Sequence, residues 1–145
     1  MNPCLFALLA VGALVACHGE PVAPSTAQGL RLSLALSATQ LPQGAPDSVA
    51  VTITNTNSYA VTLSAGGCPL LFYVTDSRGA TIVPSGGGWY CIAILTRLTL
   101  EPGARQTRTF VWQTNTAASG RYNVYGSFSA EGVYLETPRA SVELI

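Results

Sequence analysis

The sequence has 145 residues, and its seven basic and seven acidic side chains give no net charge at pH 7. Lysine is absent, and no basic or acidic run of the kind that binds nucleic acid or a cationic partner is present. The only histidine, His18, lies near the N-terminus, which excludes a Ser-His or Cys-His nucleophile in the rest of the chain. We therefore expect a protein that is not an enzyme, holds no metal or cofactor and binds no nucleic acid.

The chain begins with an apolar run, residues 5–15, that ends beside a cysteine. The run is shorter than the roughly 20 residues that a bilayer-spanning helix needs, and its length is typical of a signal peptide. The sequence Leu14-Val15-Ala16-Cys17 resembles a bacterial lipobox. This resemblance implies that residues 1–16 are removed and that Cys17 receives the lipid chains that anchor the protein in a membrane. The alternative is an ordinary secretory signal cleaved near residues 25–27, with Cys17 incidental.

The location that follows from a lipobox is the bacterial cell envelope. The mature protein would be a membrane-anchored lipoprotein, of the outer membrane or periplasm if the cell is Gram-negative. Residues 17–29 contain two prolines and small side chains without apolar periodicity, which predicts a flexible linker of at most about 40 Å. Residues 30–145 have the length of one domain.

The domain is predicted to consist of short β-strands. Residues 30–36 alternate leucine with other residues, which is the pattern of a half-buried strand. Residues 70–76 are apolar throughout and could be buried on both faces, and residues 81–83 follow after a turn. Period-two patterns recur at 48–55, 59–65, 97–103, 105–112, 120–129 and 140–145. Eight or nine strands separated by Gly, Pro, Asn and Ser turns predict an all-β, immunoglobulin-like antiparallel sandwich.

Two of the four cysteines remain for the domain, because Cys4 leaves with the signal peptide and Cys17 takes the lipid. Cys68 and Cys91 flank a predicted hairpin whose turn is residues 76–79, so folding brings them close together. In an oxidising compartment this pair predicts a disulfide bond worth roughly 3.5 kcal/mol. A metal site with two thiolates is the alternative, but no further ligand stands nearby.

Residues 83–94 are the least strand-like part of the domain, and they hold the candidate binding residues Gly88, Trp89 and Tyr90. Aromatic side chains on a loop that is held at one end are typical anchors of protein interfaces. The alternative is that Trp89 packs into the sandwich near the disulfide, as tryptophans do in immunoglobulin-like domains. Trp112 ends an alternating strand and is predicted to lie in the core. No pair among the carboxylates stands out as catalytic.

A late strand carries a further signal of this fold. Tyr122 lies two residues before Val124 in a strand that a glycine turn precedes. This arrangement is similar to the tyrosine corner of immunoglobulin-like domains, in which Val124 occupies the position that often holds a cysteine. The alternative is a plain core aromatic.

Several of these elements together resemble the BsuPI family, the intracellular proteinase inhibitor domain. The resemblance covers residues 48–129 and rests on an apolar strand ending in Asp-x-x-Gly, an aromatic residue, a Leu-x-Pro-Gly turn, a strand ending in tryptophan, and a Gly-x-Tyr-x-Val-x-Gly strand. The matching residues are Phe72, Val74, Asp76, Gly79, Trp89, Leu100, Pro102, Gly103, Trp112, Gly120, Tyr122, Val124 and Gly126. The resemblance implies the fold, and it suggests proteinase inhibition with a serine protease as the partner.

The sequence thus predicts a lipid-anchored β-sandwich that binds another protein. A structural or accessory envelope domain without inhibitory activity is the alternative from a different functional class.

Overall fold

The computed structural model describes residues 24–145, and these contain twelve β-strands and no helix. The predicted signal peptide, the predicted lipidation at Cys17 and the first part of the predicted linker lie outside the described residues. The strands are β1 (Ser25–Ala27), β2 (Leu30–Leu36), β3 (Gln40–Leu41), β4 (Asp47–Asn55), β5 (Val61–Ala65), β6 (Leu70–Asp76), β7 (Thr81–Val83), β8 (Thr96–Leu100), β9 (Arg105–Trp112), β10 (Gly120–Ala130), β11 (Val133–Glu136) and β12 (Ala140–Leu144).

Two sheets pack face to face and confirm the predicted immunoglobulin-like sandwich. One sheet has the order β1-β2-β4-β9, and the other has the order β3-β12-β10-β6-β7, with β11 also paired to β10. Strands β5 and β8, which are not consecutive in the chain, form a separate two-stranded antiparallel sheet. All pairs are antiparallel except β3–β12, which is parallel.

The predicted number of strands, eight or nine, was too low. The three strands that were not predicted are β1, β3 and β11. They have two to four residues each, which is too few to show a period-two pattern in the sequence. Strand β1 lies within the range predicted as linker, so the first strand among the described residues begins at Ser25. It forms because Gln28 (φ 52°) and Gly29 (φ 69°) make a two-residue turn with positive φ at both positions, which suits a tight hairpin with β2.

The core lies between the sheets where the alternating apolar side chains meet. Leu30 and Leu32 of β2 and Val51 of β4 are fully buried, as the sequence patterns predicted. Gly126 of β10 lies opposite Val51, and a Cβ atom at Gly126 would be 2.8 Å from Val51 Cγ1. A side chain at this position would therefore push the two sheets apart.

Strand β6 is buried on one face and half-buried on the other. Phe72 and Val74 face the core, while Tyr73 lies on the outer face. The ring of Tyr73 stacks on Tyr125 with 5.1 Å between the ring centroids, and Arg139 covers Tyr125 from 4.5 Å. The prediction that β6 could be buried on both faces is thus met only in part, because neighbouring side chains rather than another layer cover its outer face.

The tyrosine corner is formed. The Tyr122 hydroxyl donates to the Ala118 carbonyl at 2.7 Å, four residues upstream. The Tyr122 ring meets the buried Trp112 edge-on, with 5.6 Å between the centroids, and Val124 is fully buried. This contact ties the start of β10 to the end of β9 across the core.

We expect Tyr122→Phe to lower the free energy of unfolding by about 1 kcal/mol, because the hydrogen bond from the buried tyrosine to the Ala118 carbonyl is lost while the ring packing is kept. Urea unfolding followed by tryptophan fluorescence measures the change. Tyr125→Phe is the matched control, since the Tyr125 hydroxyl makes no hydrogen bond within residues 24–145. Equal effects of the two substitutions would contradict the proposed role of the corner.

Candidate binding loop

The β6–β7 turn sets the geometry of the loop that follows it. The Asp76 carboxylate accepts hydrogen bonds from the backbone amides of Arg78 and Ala80, each at 2.9 Å. The Ala80 amide contributes most to holding the pKa of the Asp76 carboxyl below its ordinary value, and the Arg78 amide and side chain act in the same direction. Gly79 takes a φ of 85°, which glycine adopts without strain. The predicted turn at residues 76–79 is present.

The disulfide bond between Cys68 and Cys91 is formed, with 5.6 Å between the two Cα atoms. Cys68 lies two residues before β6, and Cys91 lies in the connection between β7 and β8, so the bond joins these two parts of the chain. Gly67 lies directly against this connection, because a Cβ atom there would be 2.5 Å from the Ile92 carbonyl oxygen. The disulfide and Gly67 together hold residues 91 and 92 against the chain that leads into β6.

Three consecutive glycines carry the chain from β7 to Trp89. Gly86, Gly87 and Gly88 have φ values of 77°, 104° and 154°, a region that other residues rarely adopt. Gly88, which was predicted as a candidate binding residue, therefore has a conformational role: it lets the chain turn back onto the sandwich.

Trp89 packs against the edge of the core. Its indole N–H donates to the Phe72 carbonyl at 3.0 Å. Its ring centroid lies 5.4 Å from that of Phe72 and 5.7 Å from that of Phe110. The side chain is half-buried, so the structure favours the packing interpretation of Trp89 over a free contact residue.

The residues after Trp89 turn outward. Tyr90 is fully exposed, Ile92 is 70 % exposed and Leu95 is 82 % exposed. The Ile94 amide donates to the Ile92 carbonyl at 2.9 Å, which makes a tight three-residue turn with Ala93 at its centre. We call residues 90–95 the apolar segment.

Of the predicted binding residues, only Tyr90 presents its side chain to solvent, and the sequence reasoning did not single out Ile92 or Leu95. A signal for them was available: no charged residue occurs between Arg78 and Arg97. Large apolar side chains that are clustered and exposed mark an interaction surface.

Two carboxylates in the described part of the chain take part in local hydrogen bonds. Asp47 is buried and accepts hydrogen bonds from the backbone amides of Ser37 and Ala38, each at 3.2 Å. Glu136 accepts a hydrogen bond from the Tyr134 hydroxyl at 2.7 Å. Partial burial raises the pKa of Tyr134 most, and the hydrogen bond to Glu136 raises it further, to about 12.

Across residues 24–145, no group of three or more His, Cys, Asp and Glu side chains could hold a metal ion. Within the same residues, no helix has the length and apolar character needed to cross a membrane.

Comparison with known proteins gives structural likeness only, since no family model and no curated protein matches the chain. Spo0M, a sporulation control protein from Bacillus subtilis, superposes with a TM-score of 0.52 at 12 % identity over 82 % of this chain and 51 % of Spo0M. The CARDB domain of a Pyrococcus furiosus protein gives a TM-score of 0.49 at 14 % identity over 94 % of this chain and 100 % of the domain.

A β-glucosidase from Listeria innocua gives a TM-score of 0.48 at 18 % identity over 79 % of this chain. The matched region is only 16 % of the enzyme's length. At these identities the similarity to Spo0M shows a shared β-sandwich fold alone.

Proposed function

We propose that the protein is a lipid-anchored β-sandwich of the bacterial cell envelope that binds another protein, a serine proteinase, through the apolar segment. The observation that carries this proposal is the exposure of Tyr90, Ile92 and Leu95 on a segment tied down by a disulfide bond. A partner that covers these side chains removes apolar surface from water, which is the main favourable contribution to protein association.

The way in which the apolar segment is held favours binding further. The Cys68–Cys91 disulfide and the close approach of Gly67 to Ile92 restrict the segment before any partner arrives. A segment that is already ordered loses less conformational entropy on binding, and more of the contact energy is retained as affinity.

The position of the apolar segment suits a partner on the far side of the domain from the anchor. Strand β1 enters the sheet at Ser25, opposite Leu32, and runs toward the Gln28 turn. The Gln28 side chain donates to the Gly132 carbonyl at 3.2 Å, and the adjoining end of β10 meets Pro69, next to Cys68. The disulfide therefore lies at the end of the domain toward which β1 runs, away from the end at which Ser25 enters the sheet.

The chemistry of the segment favours a class of proteinase. Between Arg78 and Arg97 the chain has no basic side chain that could enter a trypsin-like specificity pocket. Isoleucine, alanine and leucine suit enzymes with apolar pockets, of which subtilisin-like enzymes are an example. The resemblance to the BsuPI family supports a proteinase as the partner.

The test is a titration of the full-length oxidised protein against subtilisin-like and trypsin-like proteinases, with hydrolysis of a small substrate as the readout. We expect stoichiometric inhibition of the subtilisin-like enzyme. Ile92→Asp should weaken inhibition by roughly 30-fold, because a charge would replace a contact at the centre of the interface. Tyr59→Ser is the matched control, since Tyr59 is 64 % exposed and lies outside the apolar segment. No inhibition by the wild type, or equal effects of both variants, would contradict the proposal.

A further inference from the structure

Among residues 24–145, the sandwich has one long open edge, strand β9. Of the strands at the edges of the two main sheets, β9 has eight residues, whereas β1, β3 and β7 have three, two and three. Strand β7 is followed directly by Pro84, which cannot donate a ladder hydrogen bond. Strand β1 is covered by β11, since the Ser25 hydroxyl donates to the Glu136 carbonyl.

Half of the backbone groups of β9 face away from the sheet. The Asn55 amide donates to the Ala104 carbonyl at 2.9 Å, just before β9 begins. This hydrogen bond shows that the backbone carbonyl of Ala104 points toward β4. Hydrogen bonding alternates along an antiparallel strand, so every second residue turns its amide and carbonyl outward. The outward residues are Arg105, Thr107, Thr109 and Val111. No backbone hydrogen bond within residues 24–145 reaches their outward groups.

A cleft of about 420 Å³ lies beside this edge, between β9 and the chain from Val83 to Trp89. Its walls include Phe72, Trp89, Phe110 and the backbone around Val111. It lies between the β7 edge of one sheet and the β9 edge of the other, and Val111 of β9 is part of its lining. A strand that paired with β9 would lie about 4.8 Å away and would turn every second side chain toward this cleft.

A positive charge lies beside Phe110, which lines the cleft. The side chains of Arg108, Phe110 and Trp112 share one face of β9, and the Arg108 guanidinium lies 4.8 Å from the centre of the Phe110 ring. A side chain opposite Phe110 would enter the apolar cleft, and one opposite Arg108 would meet the guanidinium. In an added strand these two positions are two residues apart, because side chains alternate between faces.

We propose that β9 is a strand-addition site for an extended peptide of a second protein that carries an apolar and an acidic side chain two residues apart. Main-chain hydrogen bonds to the outward groups supply affinity, while the cleft and Arg108 supply specificity. The site is separate from the apolar segment and does not depend on proteinase inhibition.

The probe is the capped peptide acetyl-Ser-Thr-Leu-Thr-Glu-Thr-Ser-Thr-amide, titrated into the full-length protein by calorimetry. Aligned antiparallel to β9, it puts Leu opposite Phe110 and Glu opposite Arg108. The control peptide acetyl-Ser-Thr-Leu-Glu-Thr-Thr-Ser-Thr-amide has the same composition but turns Leu and Glu to opposite faces. We expect the control to bind at least about 10-fold more weakly, because it loses the charge-assisted hydrogen bond.

Variants of β9 separate the two sources of binding. Arg108→Gln should weaken binding of the designed peptide by about the factor that separates the designed and control peptides on the wild type. Arg105→Gln, on the other face of β9, should change the affinity little. Thr109→Pro removes one outward amide without touching the β4 ladder and should abolish binding, while Thr109→Val should retain it. If Thr109→Pro does not fold, a peptide N-methylated at each amide facing β9 makes the same test on the wild type. Ile92→Asp should leave peptide binding unchanged.

Three outcomes would overturn the proposal. The first is no binding of the designed peptide at millimolar concentration, and the second is equal binding of the N-methylated peptide. The third is a concentration-dependent dimer in analytical ultracentrifugation that Thr109→Pro abolishes, which would assign the β9 edge to a second copy of this chain.

Discussion

Replacing Cys68 and Cys91 together with serine should lower the free energy of unfolding by roughly 3.5 kcal/mol. The disulfide closes a chain segment with a sequence separation of 23 residues, and its loss frees that segment in the unfolded state. Serine is close to cysteine in size, so packing changes little. Urea unfolding of the oxidised wild type and the double variant measures the difference.

Two controls accompany this prediction. Tyr90→Ala alters a fully exposed side chain beside Cys91 and should change the unfolding free energy by less than about 0.5 kcal/mol. Reduced wild type should reproduce the double variant. A loss below about 1 kcal/mol in the double variant would show that the unfolded chain already keeps these residues close, as residual structure in denatured states can.

The same double variant should also weaken inhibition of the subtilisin-like enzyme. Without the disulfide, the apolar segment keeps its contact with Gly67 and the packing of Trp89 beside it, but it loses the covalent link at Cys91. The segment must then lose conformational entropy on binding, so the inhibition constant should rise while peptide binding at β9 stays unchanged.

Trp112→Ala should lower the free energy of unfolding by about 4 kcal/mol, the largest effect of any single substitution that we predict. The Trp112 side chain is 2 % exposed and contacts the ring of Tyr122. Its removal leaves a cavity between the end of β9 and the start of β10, beside the tyrosine corner, where the loss of contacts adds to the loss of buried apolar area.

Val111→Ala is the matched control for Trp112→Ala. Val111 is the preceding residue in the same strand, but it is 58 % exposed and lies on the outer face. Its substitution should cost about 0.5 kcal/mol or less. Equilibrium unfolding in urea, followed by circular dichroism, compares the two variants. A Trp112→Ala loss no larger than that of Val111→Ala would contradict the position of Trp112 in the core.

The sandwich and its longer strands were predictable from local patterns. In β2 and β4 the period-two alternation was enough, because one face of each strand is buried and the other is not. The turn at Asp76 was predictable because an aspartate carboxylate can accept from the amides that follow it and glycine can take positive φ. The disulfide followed from that turn, since a hairpin brings its two flanks together.

The candidate surfaces were less predictable. Trp89 and Tyr90 are neighbours with similar side chains, yet one packs on Phe72 and Phe110 while the other is fully exposed. Composition cannot separate them, because the outcome depends on how the glycine turn aims the chain at strands far away in sequence. The short strand β1 was missed for a similar reason: its pairing depends on β2 and on the unusual Gln28-Gly29 turn.

By itself, the sequence determined that this is an all-β sandwich with a cross-linked hairpin and a long uncharged connection, because alternation, turn residues and cysteine spacing act over short distances along the chain. Only the tertiary structure decided which side chains of that connection reach solvent and which strand keeps a free edge. Exposure and edge position depend on strand order and on packing between residues distant in sequence, as β9 shows by pairing with β4, from which it is separated by β5 to β8 along the chain.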